Sequence, residues 1–247
     1  CLFENEFIPK VSDLESLVDE RTVAILYNFP SNPTGGTLDE VQRDELLAFA
    51  KERNLWIISD EVYDRIVFDG PHVSFLGAGY DRVLVVNSFS KTFAMTGWRM
   101  GYIISEHLEA MVQVIKMQYY IAACSNDAMQ HAILATMQHA SDYPDMLAGE
   151  FKQRRDLIVD RLNRMPGVEC HKPQGAIYVF PKVTVPGMNS QELALELLQD
   201  GVLCSPGSAF GPSGEGHLRF AYTISQDDIS RGMDKVEATL NRLIHSK

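Results

Sequence analysis

Thr22-Val-Ala-Ile-Leu-Tyr27, an amphipathic run from Leu38 to Arg53, and Leu55-Trp-Ile-Ile-Ser59 follow one another near the start of the chain. The two short runs are rich in β-branched residues and apolar on both faces, the pattern of parallel strands covered on both sides. The run between them places Leu46, Leu47 and Ala50 on one helical face, with Thr37 and Glu40 spaced as a capping box. Strand, helix and strand with short connections predict a βαβ crossover and therefore a parallel sheet. Val83-Leu-Val-Val-Asn87 repeats the strand pattern, and Gly101-Tyr-Ile-Ile104 reads as a fourth strand close behind it.

Helices are expected over 106–120 and 127–139, then over 145–165 with Leu147, Phe151, Ile158 and Leu162 on one side and Pro166-Gly167 as the stop. Strand-like pieces follow at 176–180, 202–204 and 217–221, with a helix at 190–199. Ser225 and Asp228 cap a last helix in which Ile229, Met233, Val236, Leu240 and Leu243 recur at helical spacing. The chain reads as two α/β domains, residues 1–143 and 144–247.

The 247 residues carry 22 Lys and Arg against 33 Asp and Glu, a net charge of −11. An acidic chain without a basic block is a poor partner for nucleic acid or an anionic membrane. No stretch approaches the ~18 apolar residues of a membrane span. The N-terminal residues lack the basic-then-apolar order of a signal peptide. Four cysteines, Cys1, Cys124, Cys170 and Cys204, lie far apart with no CxxC, which points to a reducing, cytoplasmic setting without a disulfide framework or zinc site. The seven histidines show no paired-ligand spacing, so no metal is expected. Met111, Met117 and Met129 are expected to be packing residues. Gly211-Pro-Ser-Gly214-Glu-Gly216 reads as a turn positioning the Arg219 strand.

Three polar segments sit just past strand carboxyl ends: Ser31-Asn32-Pro33-Thr34-Gly35-Gly36, Asp60-Glu61-Val62-Tyr63 and Ser88-Phe89-Ser90-Lys91. Asn32, Asp60 and Lys91 are 28 and 31 residues apart, about one βαβ repeat each. The carboxyl ends of successive parallel strands share one sheet edge, where open α/β folds bind ligands. An amine, a carboxylate and an amide converging there match pyridoxal phosphate (PLP), which needs a lysine for its Schiff base, an acid facing the pyridine nitrogen, and donors for its phosphate. Lys91 supplies the amine and Asp60 the acid, while Tyr63 and Asn32 can donate to the phenolate oxygen. Ser88, Ser90 and Arg99 can hold the phosphate, and Arg219 offers a planar fork for a carboxylate. Any one of these residues alone is more often a surface charge, a cap or a packing group. All of them meeting one cofactor's requirements is what makes the functional reading the stronger one.

At these positions the sequence resembles the class I aminotransferases of PLP fold type I, most closely the aspartate/aromatic branch. The resemblance is carried by Asn32-Pro-Thr-Gly35, Asp60-Glu-Val-Tyr63, Ser88-Phe-Ser-Lys-Thr-Phe-Ala-Met-Thr-Gly-Trp-Arg-Met-Gly101, Gly175-Ala-Ile-Tyr178, Pro206-Gly-Ser-Ala-Phe-Gly211 and Leu218-Arg-Phe220. It implies a mainly parallel α/β/α cofactor domain, present in part, and a smaller α/β C-terminal domain. It also implies that Lys91 is the Schiff-base lysine and proton shuttle, that Asp60 faces the pyridine nitrogen, and that Tyr63 and Asn32 contact the phenolate oxygen. Ser88, Ser90 and Arg99 would then bind phosphate, and Arg219, helped by Asn32, the substrate α-carboxylate. Substrates would be an amino acid and a 2-oxo acid, and the enzyme a homodimer.

Family members begin with a segment of roughly a third of the chain that has no counterpart here, so an incomplete large domain, weak PLP binding and slow turnover are expected. Two other functions fit the same residues. One is a carbon–sulfur β-lyase or decarboxylase of the same fold; the other is the PLP-sensing half of a transcription regulator.

Overall fold

The computed structural model describes residues 3–245. Cys1, one of the four cysteines, lies outside the described residues. The chain divides into two compact units, and the division is not a single cut. One unit comprises Pro9–Pro30 and Thr37–Leu147; the other comprises the segment up to Ile8, Ser31–Gly36 and the chain from Ala148 on.

The first unit is built on a four-stranded sheet in the order β1 (Ala24–Asn28), β2 (Trp56–Asp60), β3 (Val83–Ser88), β4 (Gly101–Ile104). The first three strands are parallel, as the crossover pattern requires, and β4 runs antiparallel to β3. Register places Asn28 opposite Asp60 and Ser88 opposite Gly101. Burial on alternate residues is strict in β2 and β3. It fails in β1, where Leu26 is 68% exposed, and in β4, where every residue is exposed. These are the two edge strands of the sheet.

Helix α1 (Val11–Glu15) precedes β1, and α2 (Glu40–Glu52) forms the crossover, burying Leu46, Leu47, Phe49 and Ala50. The capping box of α2 is Asp39 with Gln42, not Thr37 with Glu40. The Asp39 carboxylate accepts from Gln42 N at 2.7 Å while Gln42 Oε1 accepts from Asp39 N at 3.0 Å. Two overlapping cap patterns lie in this stretch, and the helix takes the later one. α3 (Phe89–Thr92) is a single turn directly after β3. α4 (Leu108–Ala122) and α5 (Asp127–His139) follow. α4 buries no residue, and Leu108, Val112, Ile115 and Tyr120 are all at least 60% exposed. Met117, expected to pack, is 58% exposed on the same helix.

α6 (Tyr143–Leu162) leads into the C-terminal unit, burying Phe151, Ile158 and Leu162. It stops three residues short of Met165 because Asn163 turns its side chain onto the backbone of Cys170, accepting from its N at 2.8 Å and donating to its O at 3.0 Å. Two small antiparallel sheets follow. One pairs β5 (Val168–Glu169) with β7 (Lys182–Val183); the other has the order β6 (Tyr178–Val179), β9 (Leu218–Ala221), β8 (Ser205–Pro206). The expected strand at 202–204 is displaced to β8, since only Ser205 and Pro206 find ladder partners, in Arg219 and Leu218. α7 (Ser190–Gln199) begins at the Asn189–Glu192 capping box. α8 (Gln226–His245) buries Ile229, Met233, Val236 and Leu240 on the face its spacing defines, and Ser225 Oγ accepts from Asp228 N at 3.1 Å at its start.

Candidate active site

Asp60 is the last residue of β2, and its carboxylate is half-buried. Asn28 Nδ2, across the ladder on β1, donates to Oδ2 at 3.1 Å, and Val62 N donates to Oδ1 at 3.3 Å. Among the described residues no cation pairs with it. Burial pushes its pKa up, the two hydrogen bonds oppose that, and the charge of Glu61 adds to the rise. Asp64, one turn on, is pushed up by burial as well.

Glu61 points the other way, as the next residue after a strand end does, and is 3% exposed. Its Oε1 accepts from Ser59 Oγ at 3.0 Å, Ser74 Oγ at 2.9 Å and Phe75 N at 3.2 Å, and Oε2 lies 2.8 Å from His72 Nε2. Burial alone raises the pKa of this carboxyl; the bonds from His72 and Ser74, the charge of His72 and the Phe75 amide outweigh it and hold the group below its ordinary value. Two adjacent carboxylates thus sit in opposite states: Glu61 is fully partnered, and Asp60 is half-buried with neutral donors only.

Lys91 lies in the single turn α3, directly beyond β3. Its Nζ is 5.8 Å from the centroid of the Tyr63 ring, which is 3% exposed, and no carboxylate pairs with it among the described residues. Ser88 N-caps that turn, accepting from Ser90 N at 3.1 Å. Ser88 Oγ lies 2.8 Å from Ser90 Oγ and donates to Met100 O at 2.9 Å, which ties the turn to the segment returning into β4. Gly101 has to be glycine here: a Cβ would lie 2.7 Å from Asn87 O. Arg99 precedes this contact by two residues, in the left-handed region at φ 55°, and is exposed. Its Nη1 donates to Thr96 O at 3.0 Å; neither serine hydroxyl bonds to it.

Asn32 and Arg219 belong to the C-terminal unit. Gly35 O fixes the Asn32 turn by accepting from Gln174 N and Gly175 N, both at 2.9 Å. Arg219, on the half-exposed face of β9, donates from Nη1 to Asn32 Oδ1 at 2.9 Å and from Nη2 to Ser205 Oγ at 3.0 Å. The turn before it is pinned where Gly207 and Gly214 meet, backbone on backbone, leaving no space for a side chain on either.

The structure therefore gathers Asp60, Tyr63, Ser88, Ser90, Lys91 and Arg99 in one unit, and Asn32 with Arg219 in the other. Sequence reasoning missed Asn28, Ser205, and the Glu61–His72–Ser74 network. For Asn28 a signal existed: it is a polar residue ending an apolar strand, in the place Asp60 occupies on the next one.

The donor set suits PLP. A half-buried carboxylate lacking a cation matches a protonated pyridine nitrogen, an unpaired lysine amine beside a buried tyrosine matches the aldehyde, and two serine hydroxyls at one turn match a phosphate.

Known proteins of similar sequence and fold place the chain in a family. The chain is 36% identical to the aromatic-amino-acid aminotransferase 2 of Thermococcus litoralis and 37% identical to an aspartate aminotransferase of Pyrococcus abyssi, in each case over 96% of this chain and 62% of the relative. An alanine aminotransferase from Pyrococcus furiosus superposes with a TM-score of 0.91 at 34% identity, over 97% of this chain and 63% of that one. The chain thus spans a little over three fifths of the length of these relatives, and the α/β fold is theirs, as fold type I requires. The pattern described as aminotransferase class I and II matches residues 1–236, and the chain belongs to that family.

Proposed function

We propose that this chain carries the PLP-binding and catalytic groups of an aminotransferase moving an amino group from an α-amino acid to a 2-oxo acid. The observation that carries the reading is the pairing, within one unit, of an uncompensated half-buried Asp60 with an unpaired Lys91 over the Tyr63 ring. PLP, when bound, supplies an aldehyde carbon that exchanges amines and a protonated ring that takes up electrons. Asp60 would hold the proton on the ring nitrogen, at an oxygen already oriented by Asn28. Lys91 Nζ would hold the aldehyde carbon covalently and, once displaced by the substrate amine, take the proton from substrate Cα. Tyr63 and Asn32 would donate to the phenolate oxygen. Ser90 would bind a phosphate oxygen, Ser88 would do so on giving up its bond to Met100 O, and Arg99 would exchange its bond to Thr96 O for a phosphate oxygen, a charge-assisted bond worth ~1.5–3 kcal/mol. Arg219, steadied by Asn32 Oδ1, would take the α-carboxylate.

In this reading residues 1–143 form the later part of the cofactor domain and 144–247 the small domain. The enzyme works as a homodimer in the cytoplasm. The exposed apolar face of α4 supports the dimer, and no described helix is long and apolar enough to cross a membrane.

The test is borohydride reduction of the PLP-treated protein followed by peptide mass mapping. The pyridoxyl label is expected on Lys91; a label on another lysine refutes the assignment. Release of ammonia and pyruvate from cystathionine without a 2-oxo acid acceptor would replace transamination with β-elimination.

A further inference from the structure

Arg219 is held by more than its two hydrogen bonds. Its guanidinium carbon lies 4.6 Å from the centroid of the Tyr178 ring and 4.8 Å from that of Phe210, and no carboxylate pairs with it among the described residues. Register explains the first contact: Tyr178 on β6 is paired with Ala221, two residues from Arg219 on β9, so the two side chains share a face. The second follows from the 207–210 turn, which brings Phe210 edge-on to Phe180 at 5.7 Å, itself stacked on the buried His217 at 5.0 Å. Neutral oxygens take one hydrogen on each terminal nitrogen, ring faces attract the cation, and three N–H donors remain. An arginine partnered by a structural acid would be spent; this one is oriented and still has its charge to offer.

We propose that Tyr178 and Phe210 are positioning residues for Arg219, setting the affinity for the substrate's α-carboxylate through the ring faces that fix the guanidinium. The proposal rests on the reading that Arg219 takes that carboxylate. Pre-organisation of this kind saves the ordering cost of a long, mobile side chain and acts on binding rather than on the chemical step.

The experiment titrates maleate, a planar dicarboxylate, into the cofactor-free 247-residue chain by calorimetry, with KM and kcat of the PLP-loaded protein as a second readout. Phe210→Leu and Tyr178→Leu keep apolar volume but remove the ring, and each is expected to weaken maleate binding about 3- to 30-fold, the span of a cation–π contact. KM for the amino acid should rise by a similar factor with kcat little changed. Phe210→Tyr and Tyr178→Phe keep the ring and should bind within about twofold of the parent.

Arg219→Lys separates the two claims. If it abolishes binding while both leucine variants bind like the parent, the positioning roles are overturned and the carboxylate site stands. If it binds like the parent, or the parent binds no maleate, the carboxylate reading falls and the positioning roles with it. Equal loss in the ring-keeping and ring-removing variants would show that packing, not the ring face, matters, and would also overturn the proposal.

Discussion

Asp60→Asn should act with opposite signs on the cofactor-free and PLP-treated chain. In the free chain the Asp60 carboxyl is pushed above its ordinary 3.8 by burial, eased by Val62 N and Asn28 and raised again by the Glu61 charge. An acid with a raised folded pKa stabilises fully below its unfolded value, and that contribution is lost as pH rises through the folded value. The asparagine variant carries no such loss. Its melting temperature relative to the parent should therefore climb as pH is raised from about 4 towards neutrality. With PLP the order reverses. Removing one partner of a buried charge pair costs ~3–5 kcal/mol. Half-burial of Asp60 leaves solvent to screen part of that, which brings the expectation to about 2–3 kcal/mol. At 1.4 kcal/mol per decade this is about 30- to 150-fold in PLP affinity. Differential scanning fluorimetry from pH 4 to 8, with and without PLP, measures both halves. A melting difference flat with pH, or a PLP-induced shift equal in the two proteins, would refute the pairing of Asp60 with the ring nitrogen.

Glu61 behaves differently because its charge is fully partnered. Glu61→Leu strands the donors of Ser59, Ser74, Phe75 and His72 and should cost ~3–5 kcal/mol in urea unfolding, whereas Glu61→Gln, which keeps one oxygen for three of them, should cost ~1–2. The depressed folded pKa of Glu61 supplies stability present above the ordinary 4.5 and lost as pH falls through the folded value, so the glutamine variant should show a shallower acid unfolding limb. Lys91→Ala should leave no borohydride-trapped label and reduce coupled 2-oxoglutarate-dependent turnover to background; retained turnover would remove Lys91 from the mechanism. Gly101→Ala places a methyl group 2.7 Å from Asn87 O and should destabilise the β3–β4 connection by ~1–3 kcal/mol in urea melts, with weaker PLP binding from the displaced Ser88.

The candidate site residues stand out in the sequence, and the groups that hold them do not, for a reason visible in the positions themselves. Asp60 and Lys91 stood out because each ends or follows a short apolar run, and a strand end is a local pattern. The Glu61 partners come from His72, Ser74 and Phe75, in a loop whose approach depends on where the chain goes after β2. The rings around Arg219 come from positions 41 and 9 residues earlier, brought together by the β6–β9 ladder and a turn that two glycines close. Local rules also failed where two local answers competed, as at the overlapping caps of α2, or where a strand needed a partner, as at 202–204. Periodicity located α4 without revealing that its apolar residues stay exposed, because amphipathic spacing reports the shape of a helix and not what lies against it. A motif is thus a list of chemical groups, while their pKa values and orientations are long-range properties. That is why the Arg219 experiment perturbs the distant rings and the local charge separately: the charge is written in the sequence, while its orientation is made by the β6–β9 ladder and the 207–210 turn.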